Sequence, residues 1–444
     1  MKIALSIAGS DSGGGAGVQA DLKTFSALGV YGCTAITVIT AQNTRKVLEI
    51  FEISPKVIEQ QILSITSDMP PDAIKIGMVY SKQIIDVVYR VIGKIKVPIV
   101  VDPIITAGTG TKLLQEDALA EFKSKLIPIC SLITPNRMEA EKLTNIKIRT
   151  KSDGIEAAKK IIDLGAKNVI VKGGHFESSD VADIFQDSNG KSTVITNPRI
   201  MIKQTHGSGC NFSSAIVAYL AKGSALMDAC KMAKDYVYNA IANAVILGKG
   251  LPITNPVSTL YCDAARYHVL SELQHAVQSI VALHNFYKLI PETQTNFVYA
   301  LPGATETSEV AGVQGRIIKV EDSTKPASCI EFGTSRHVAS AVIAYMSTNS
   351  AFRSAINIRF SDKIIRVCES LFPTAKYDRK KEPKSIKKKE GSTVYWGILH
   401  ALAKNSEAEI IYHTGDIGKE PMITVFGRSP VEVIAKIKAI LENY

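Results

Sequence analysis

The 444-residue sequence predicts an α/β protein, a doubly wound and mainly parallel sheet followed by a second α/β domain. Three observations predict it. From residue 1 to about 250, short β-branched runs alternate with helical stretches. Glycine-rich loops follow three of those runs. A proline-rich break, Leu251-Pro252-Ile253-Thr254-Asn255-Pro256, then precedes a second alternating region that starts near Asn296.

The strand-like runs fall at residues 3–8, 34–40, 73–79, 98–102, 132–134 and 169–172. Apolar residues at helical spacing lie between them, as in Val18, Leu22, Phe25 and Leu28, or Ile155, Ala158 and Ile162. Strands flanked by helices imply a mainly parallel sheet covered on both faces. Ligands in such folds bind beyond the carboxyl ends of the strands. The glycine loops at 9–17, 108–110 and 173–174 therefore gather one site at one edge of the sheet. A long apolar helix is expected over 211–221. A second helical pattern spans roughly 257–287, with Leu260, Ala264, Tyr267, Val277 and Val281, and reads equally as connector or packing helix. The final helix carries a start signal in which Ser429 caps, Pro430 occupies the first turn and Glu432 completes a capping box. The expected organisation is a first domain over 1–255, a helical connector over 256–290 and a second domain over 291–444.

Composition excludes several classes. With 46% hydrophobic and 21% charged residues the chain is globular rather than disordered. No apolar run approaches the roughly 18–20 residues of a membrane-spanning helix. The strand-like start leaves no room for a signal peptide. Seven widely spaced cysteines without a C-x-x-C pair argue against a disulfide framework and against a zinc site, and fit a reducing cytoplasm. The net charge of +10 is partly concentrated in residues 376–389, with eight basic and two acidic residues. Few aromatics and no DNA-binding motif accompany that run, which leaves acidic small substrates or a solvated loop as its explanation.

The tract Thr205-His206-Gly207-Ser208-Gly209-Cys210 enters the helix expected at 211–221. Its glycines let backbone N–H groups turn inward, and the helix start adds unpaired donors and partial positive charge. Such a cradle suits a phosphate in transit. Cys210 places a thiol at its rim, where a helix N-terminus is expected to lower the pKa; the alternative is a buried small hydrophobe. The loop at 9–17 is neither a G-x-G-x-x-G fingerprint nor a Walker A loop. Asn136 and Glu139, one turn apart, suit a water-mediated Mg²⁺ site or a plain helix cap. Lys172 ends an apolar strand and needs an anion to meet. Asp21 and Gln42 offer donor and acceptor groups, although Asp21 also reads as a first-turn helix carboxylate.

In order along residues 1–255 stand the glycine opening, Gln19-Ala20-Asp21-Leu22-Lys23-Thr24-Phe25, Ala41-Gln42-Asn43-Thr44 and Lys75-Ile76-Gly77-Met78. Asp102-Pro103, Thr134-Pro135-Asn136 with Glu139, Lys172-Gly173-Gly174-His175 and the 205–210 tract follow. This combination resembles the hydroxymethylpyrimidine and phosphomethylpyrimidine kinases of thiamine synthesis, in the ribokinase-like superfamily. The resemblance implies a ribokinase-like doubly wound fold and two successive phosphorylations of the pyrimidine alcohol by ATP and Mg²⁺. It implies a ring pocket of Gly9, Ala16, Asp21, Gln42 and Met78. Thr205, Gly207, Ser208 and Gly209, with Asn136, Glu139 and Lys172, are expected to hold phosphate, and Cys210 to be catalytic.

In the second half, Gly312-Val313-Gln314-Gly315-Arg316 and Phe332-Gly333-Thr334-Ser335-Arg336-His337 read as strand-to-helix turns ending in cations, with Ser335 able to cap the helix that carries Val338, Val342 and Tyr345. The stretches Thr295-Asn296-Phe297-Val298-Tyr299-Ala300-Leu301-Pro302, Gly315-Arg316, Gly333 to Ala339 and Asn357-Ile358-Arg359 belong to a longer series. It continues through Asp378-Arg379, Glu382-Pro383, Glu390-Gly391-Ser392-Thr393, Trp396-Gly397 and Gly418-Lys419-Glu420-Pro421-Met422. Together they resemble the archaeal ThiN-type thiamine-phosphate synthase domain. That resemblance implies joining of the pyrimidine pyrophosphate to thiazole phosphate, with Arg316 and His337 as the catalytic pair. Arg336, Arg359, Arg379 and Lys419 are additional expected phosphate ligands. Trp396, the single tryptophan, is expected in the core or stacked on a ring.

The sequence thus reads as a fused enzyme using ATP and Mg²⁺ on small-molecule partners: an aminopyrimidine, thiazole phosphate and ATP. A homo-oligomer in the cytoplasm is expected, with no nucleic-acid or membrane partner. Two alternatives stay open: a second domain that senses thiamine phosphate without catalysis, and a first domain that phosphorylates pyridoxal.

Overall fold

The structure, a computed structural model, describes residues 1–106, 110–173, 180–202, 204–383, 392–416 and 418–444. It forms two compact units, Met1–Tyr261 and Cys262–Tyr444. The loop expected at 108–110, residues Gly174 and His175, and the Glu390-Gly391 pair lie wholly or partly outside the described residues.

Among the described residues the first unit holds one sheet of β1 (Ile3–Asp11), β2 (Tyr31–Gln42), β3 (Val47–Glu52), β4 (Ala73–Ile76), β5 (Ile99–Val101), β6 (Leu132–Ile133), β7 (Asn168–Val171), β8 (Asp180–Asp187) and β9 (Ser192–Pro198). Their order is β3-β2-β1-β4-β5-β6-β7-β8-β9. The strands from β2 to β7 run parallel, while β3, β8 and β9 join antiparallel at the two edges. Alternation of side chains divides the parallel strands between two apolar layers. Leu5, Ile7, Ile74, Ile76, Val101 and Ile133 feed one, and Ala4, Ala73, Val100, Leu132 and Ile170 feed the other. All six expected strands are present. The antiparallel edge strands were not expected, because β3 and β9 expose most of their residues and β8 begins and ends on aspartates.

The helix Ser208–Ala221 packs Phe212, Ala215, Ile216, Val217 and Ala218 on the second of these layers. It starts three residues earlier than expected, so Cys210 is its third residue rather than its cap.

The second unit also combines helices with a sheet, but its strands pair mainly antiparallel. Among the described residues β10 (Phe297–Ala300), β11 (Val310–Val313), β14 (Ile330–Phe332), β15 (Ser354–Arg359), β16 (Thr374–Lys376), β17 (Ile410–His413) and β18 (Met422–Gly427) stand in the order β14-β11-β10-β15-β18-β17-β16. Only β16 and β17 run parallel. A separate hairpin pairs β12 (Ile317–Val320) with β13 (Ser323–Pro326). Within the region expected as a connector, Val269, Leu273, Ala276, Val277 and Ile280 are buried in the core of this unit, in helix Ser258–Val281. Helix Pro430–Asn443 begins at the expected cap, the Ser429 hydroxyl accepting from Glu432 N–H, but the capping box is not completed: the Glu432 carboxylate accepts from Arg428 N–H rather than from Ser429. No described helix is long and apolar enough to cross a membrane.

Candidate active sites

The parallel strands of the first unit deliver Gly9, Met78, Asp102, Asn136 and Lys172 to one edge, each at or just past the carboxyl end of its strand. These residues line a cavity of ≈ 440 Å³ together with Ala16, Gln42, Glu139 and the whole tract Thr205 to Cys210. Of the first-unit residues expected at the site, only Asp21 is absent from that lining.

The anion cradle is built by backbone. Gly207 adopts φ 89°, and the first helical bond runs from Asn211 N–H to the Gly207 carbonyl at 3.0 Å. The N–H groups of Ser208, Gly209 and Cys210 therefore have no acceptor within the helix. Lys172 stands beside them, since a Cβ on Gly209 would lie 3.3 Å from its ammonium nitrogen. Lys172 does meet an anion: its nitrogen lies 3.1 Å from Asp102 Oδ1. Thr134 and Ser213 hydroxyls donate to the same carboxylate at 3.2 Å each. Burial opposes the charge on Asp102, yet Lys172 and Lys75 prevail and hold it below the usual carboxylate range.

Asn136 and Glu139 realise the cap reading. The Asn136 side chain accepts from Glu139 N–H at 2.9 Å, and Glu139 Oε2 accepts from Asn136 N–H at 2.7 Å. Burial pushes Glu139 up to about 7 against the pull of Lys172, with Asp102 adding to the rise. Two of their oxygens are thus committed to backbone, and no group of three His, Cys, Asp or Glu able to hold a metal exists among the described residues. A hard cation that keeps most of its water and touches one or two carboxylates fits this arrangement; an all-protein cage does not.

Two expectations are corrected. Asp21 does not face the ring pocket. It is fully buried and saturated by Lys75, by the Ser6 hydroxyl at 2.5 Å and by the Ser214 hydroxyl at 2.7 Å. Its position in the first helix suggested a surface or pocket carboxylate, but Lys75, fully buried at the centre of β4, requires a counter-ion there. The Cys210 thiol is not lowered by its helix terminus. Burial pushes it up to about 11, outweighing the Lys75 ammonium nearby.

Sequence reasoning missed two groups. Asp11 and His206 both line the cavity and meet at 2.9 Å. His206 stood inside the tract already singled out, and an aspartate between glycines was the available signal for Asp11. Asp183 and Lys234 also line the cavity, paired at 2.7 Å, with Asp183 accepting from Gly173 N–H at 2.8 Å. Nothing in sequence links that pair.

In the second unit, Arg316 sits at φ 74° in a tight turn between two strands, not at a helix start as expected. Its guanidinium donates to the Thr293 carbonyl, while the Glu420 carboxylate accepts from Glu292 and Thr293 N–H at 2.8 and 3.0 Å. One short segment thus ties Arg316 to the neighbour of Lys419. His337 opens helix His337–Met346; Arg336 precedes it without a side-chain cap bond, and Ser335 is buried rather than capping. Burial, then Arg316, Lys419, Arg379 and Arg336 in that order, keep the His337 pKa below its ordinary value. Those four cations therefore share one neighbourhood with the imidazole; Arg316, Arg336, His337 and Lys419 are exposed and Arg379 is half-buried. Arg359 ends β15 and is exposed. Trp396 is half-buried against the core and stacks on His400 at 5.2 Å.

A backbone cradle with a lysine beside it, opening on a cavity at the carboxyl edge of a doubly wound sheet, has the build of a small-molecule phosphotransferase. The chain matches the family "Phosphomethylpyrimidine kinase" over residues 11–255 and "Thiamine-phosphate synthase ThiN" over residues 272–439. It is 42% identical over 254 residues to the hydroxymethylpyrimidine/phosphomethylpyrimidine kinase of Bacillus subtilis, covering 57% of this chain and 93% of that one. Along its whole length it is 30% identical to the bifunctional thiamine biosynthesis protein ThiDN of Methanocaldococcus jannaschii, covering 100% and 99% of the two chains. The ADP complex of Bacillus subtilis pyridoxal kinase superposes with a TM-score of 0.55 at 36% identity, over 59% of this chain and 99% of that one. The chain belongs to the phosphomethylpyrimidine kinase family and carries a ThiN thiamine-phosphate synthase domain after the kinase domain; it is a bifunctional enzyme of thiamine biosynthesis.

A Cβ on Gly207 would lie 1.8 Å from the Gly15 carbonyl oxygen, at a φ that other residues rarely adopt. Gly207→Ala is therefore expected to displace the cradle and lower kinase kcat/KM by roughly 100-fold or more. Steady-state assay of the variant beside its melting curve checks this, because folding should survive.

Proposed function

We propose that the first unit phosphorylates 4-amino-5-hydroxymethyl-2-methylpyrimidine twice with ATP, and that the second unit condenses the resulting pyrophosphate with thiazole phosphate to give thiamine phosphate and pyrophosphate. One observation carries the kinase half: the cradle of Gly207 to Cys210, with Lys172 beside it, shares a single cavity with Gly9, Ala16, Gln42 and Met78. Phosphoryl transfer asks mainly for positioning and for cancellation of charge, and this wall supplies both. Mg²⁺, when bound, neutralises phosphate charge, with Asn136 and Glu139 holding its water shell. For the synthase half, departure of pyrophosphate from a carbon on an electron-rich aminopyrimidine leaves a stabilised cation, which the thiazole nitrogen attacks. The cations around His337 suit the departing oxyanions. With its pKa lowered, His337 is neutral near pH 7 and can give a hydrogen bond without adding another positive charge.

The test supplies the purified full chain with ATP, the pyrimidine alcohol and thiazole phosphate. Pyrimidine monophosphate, then pyrophosphate, then thiamine phosphate should appear in order. Arg316→Ala and His337→Ala should halt the series at the pyrimidine pyrophosphate. Preference for pyridoxal over the pyrimidine would overturn the kinase assignment, and tight binding of thiamine phosphate without turnover would overturn the synthase assignment.

Cys210 is proposed to take the alcohol proton. Its thiol ionises about tenfold more per pH unit below its value of about 11. Kinase kcat/KM should accordingly rise with pH between 7 and 9. Cys210→Ala should lose that slope and about 10- to 100-fold in kcat, with the KM for ATP unchanged. Undiminished turnover in the variant would leave the thiol as packing.

A further inference from the structure

Asp11 and His206, on the cavity wall, form a brace behind Gln42. The Asp11 carboxylate accepts from Gly13, Gly15 and Ala16 N–H at 2.8, 3.1 and 2.8 Å, so it is fixed by the glycine loop itself. Burial works against its charge, but the bond from His206 and those from the loop hold it below the usual range, and it is ionised. His206 Nε2 lies 2.9 Å from Asp11 Oδ2 and must carry the hydrogen that points there. The imidazole cannot swing away. Its backbone N–H donates to the Pro252 carbonyl at 2.8 Å, and its carbonyl accepts from the Thr254 N–H and hydroxyl at 3.1 and 2.6 Å. A Cβ on Gly15 would lie 2.4 Å from the ring.

The Gln42 amide meets the same imidazole nitrogen at 3.2 Å with Nε2, and Thr40 Oγ1 at 3.4 Å with Oε1. Thr40 spends its one hydroxyl hydrogen on the Ser10 carbonyl at 2.9 Å, so towards Gln42 it can only accept. Turning the amide by half a rotation removes the meeting of two donors: Oε1 then shares the His206 Nε2 hydrogen with Asp11 in a three-centre bond, and the amino group donates to Thr40. One lone pair of Oε1 and one hydrogen of the amino group then remain, side by side, for the cavity that Gln42 lines.

We propose that Asp11 and His206 are specificity-determining positioning residues, which lock the Gln42 amide so that its oxygen accepts from an exocyclic amino group while its nitrogen donates to the adjacent ring nitrogen. This rests on the first unit being an aminopyrimidine kinase. A 4-aminopyrimidine presents that donor–acceptor edge. Pyridoxal does not, since neither carbon beside its ring nitrogen carries an amino group. Buried polar groups left unpaired by the wrong ring supply the discrimination.

The experiment compares kcat/KM of the full chain for the pyrimidine alcohol, its 4-deamino analogue and pyridoxal. The unaltered protein should prefer the amino compound to the deamino compound by about 100-fold or more. In His206→Leu that ratio should fall below about 10-fold through a raised KM for the amino compound alone, with the KM for ATP unmoved. His206→Gln, which keeps a donor, should restore part of the ratio. Should His206→Leu fail to fold, His206→Asn, too short to reach Gln42, carries the same expectation. An unchanged ratio, or an equal fall for all three substrates, would overturn the proposal. Failure of the unaltered protein to phosphorylate the pyrimidine would instead overturn the kinase reading on which it rests.

Discussion

Lys172→Met is expected to lower kinase turnover by about 10²- to 10³-fold while the KM for ATP moves little. The ammonium group stands against Gly209 of the cradle and lines the cavity, where under the proposed function charge would develop on the transferring phosphoryl group. Its side chain is 18% exposed and lies against Asp102, whose side chain is 2% exposed. Removing the cation therefore does two things: it withdraws charge from the transition state, and it leaves a carboxylate without its main partner beside Glu139. The stability cost is separable from the catalytic one. Lys172→Arg keeps the charge and should retain folding while still losing turnover, because a planar fork misplaces it. Full turnover in Lys172→Met would show that backbone donors alone carry the transfer.

The largest stability effect is expected at Lys75. Its side chain and that of Asp21 are 0% exposed and paired with each other, with Ser6 and Ser214 completing the Asp21 shell. Lys75→Met should destabilise the first unit by about 3–5 kcal/mol, because a buried carboxylate is left without a counter-ion. In a unit of this size that corresponds to a fall of roughly 10 °C in its melting transition, readable by calorimetry of the full chain. The double variant Lys75→Met with Asp21→Leu should recover much of the loss. Should the double variant be worse than the sum of the single ones, the pair is held by hydrogen bonds to its surroundings rather than by charge. The Lys75 ammonium also lies 3.5 Å from the Cys210 carbonyl, so activity should fall with stability.

Much of this was legible from residue order. Alternating β-branched runs and amphipathic segments located all six parallel strands, since burial on both faces leaves a strand little choice but to be continuously apolar. The edge strands escaped because one-sided exposure makes their composition resemble loops. The cradle was readable, because a glycine that must adopt positive φ beside a helix start has few other uses. The role of Asp21 was not: a carboxylate in the first turns of a helix looks the same whether it faces a ligand or a lysine 54 residues away. The ionisation of Cys210 was also misjudged. Helix position is visible in sequence, whereas the depth that overrides it depends on what the tertiary fold stacks around the sulfur. In the second unit the convergence of Arg316, Arg336, Arg379 and Lys419 on His337 could be anticipated residue by residue, but not the antiparallel sheet that brings it about.

The proline-rich stretch after residue 250 looks like punctuation between modules, yet it is stitched into the catalytic wall. Leu251 N–H reaches the Thr44 carbonyl at 3.1 Å, and Ile253 bridges to both Val245 and His206. It works as a splint for the tract proposed to hold phosphate. A kinase module cut free upstream of Thr254 would keep its sheet and its apolar layers but carry a slack anchor at His206. Gene fusion or shuffling that preserved activity had to place its seam beyond this splint, so the spacing between the two enzymes is constrained from within the first one.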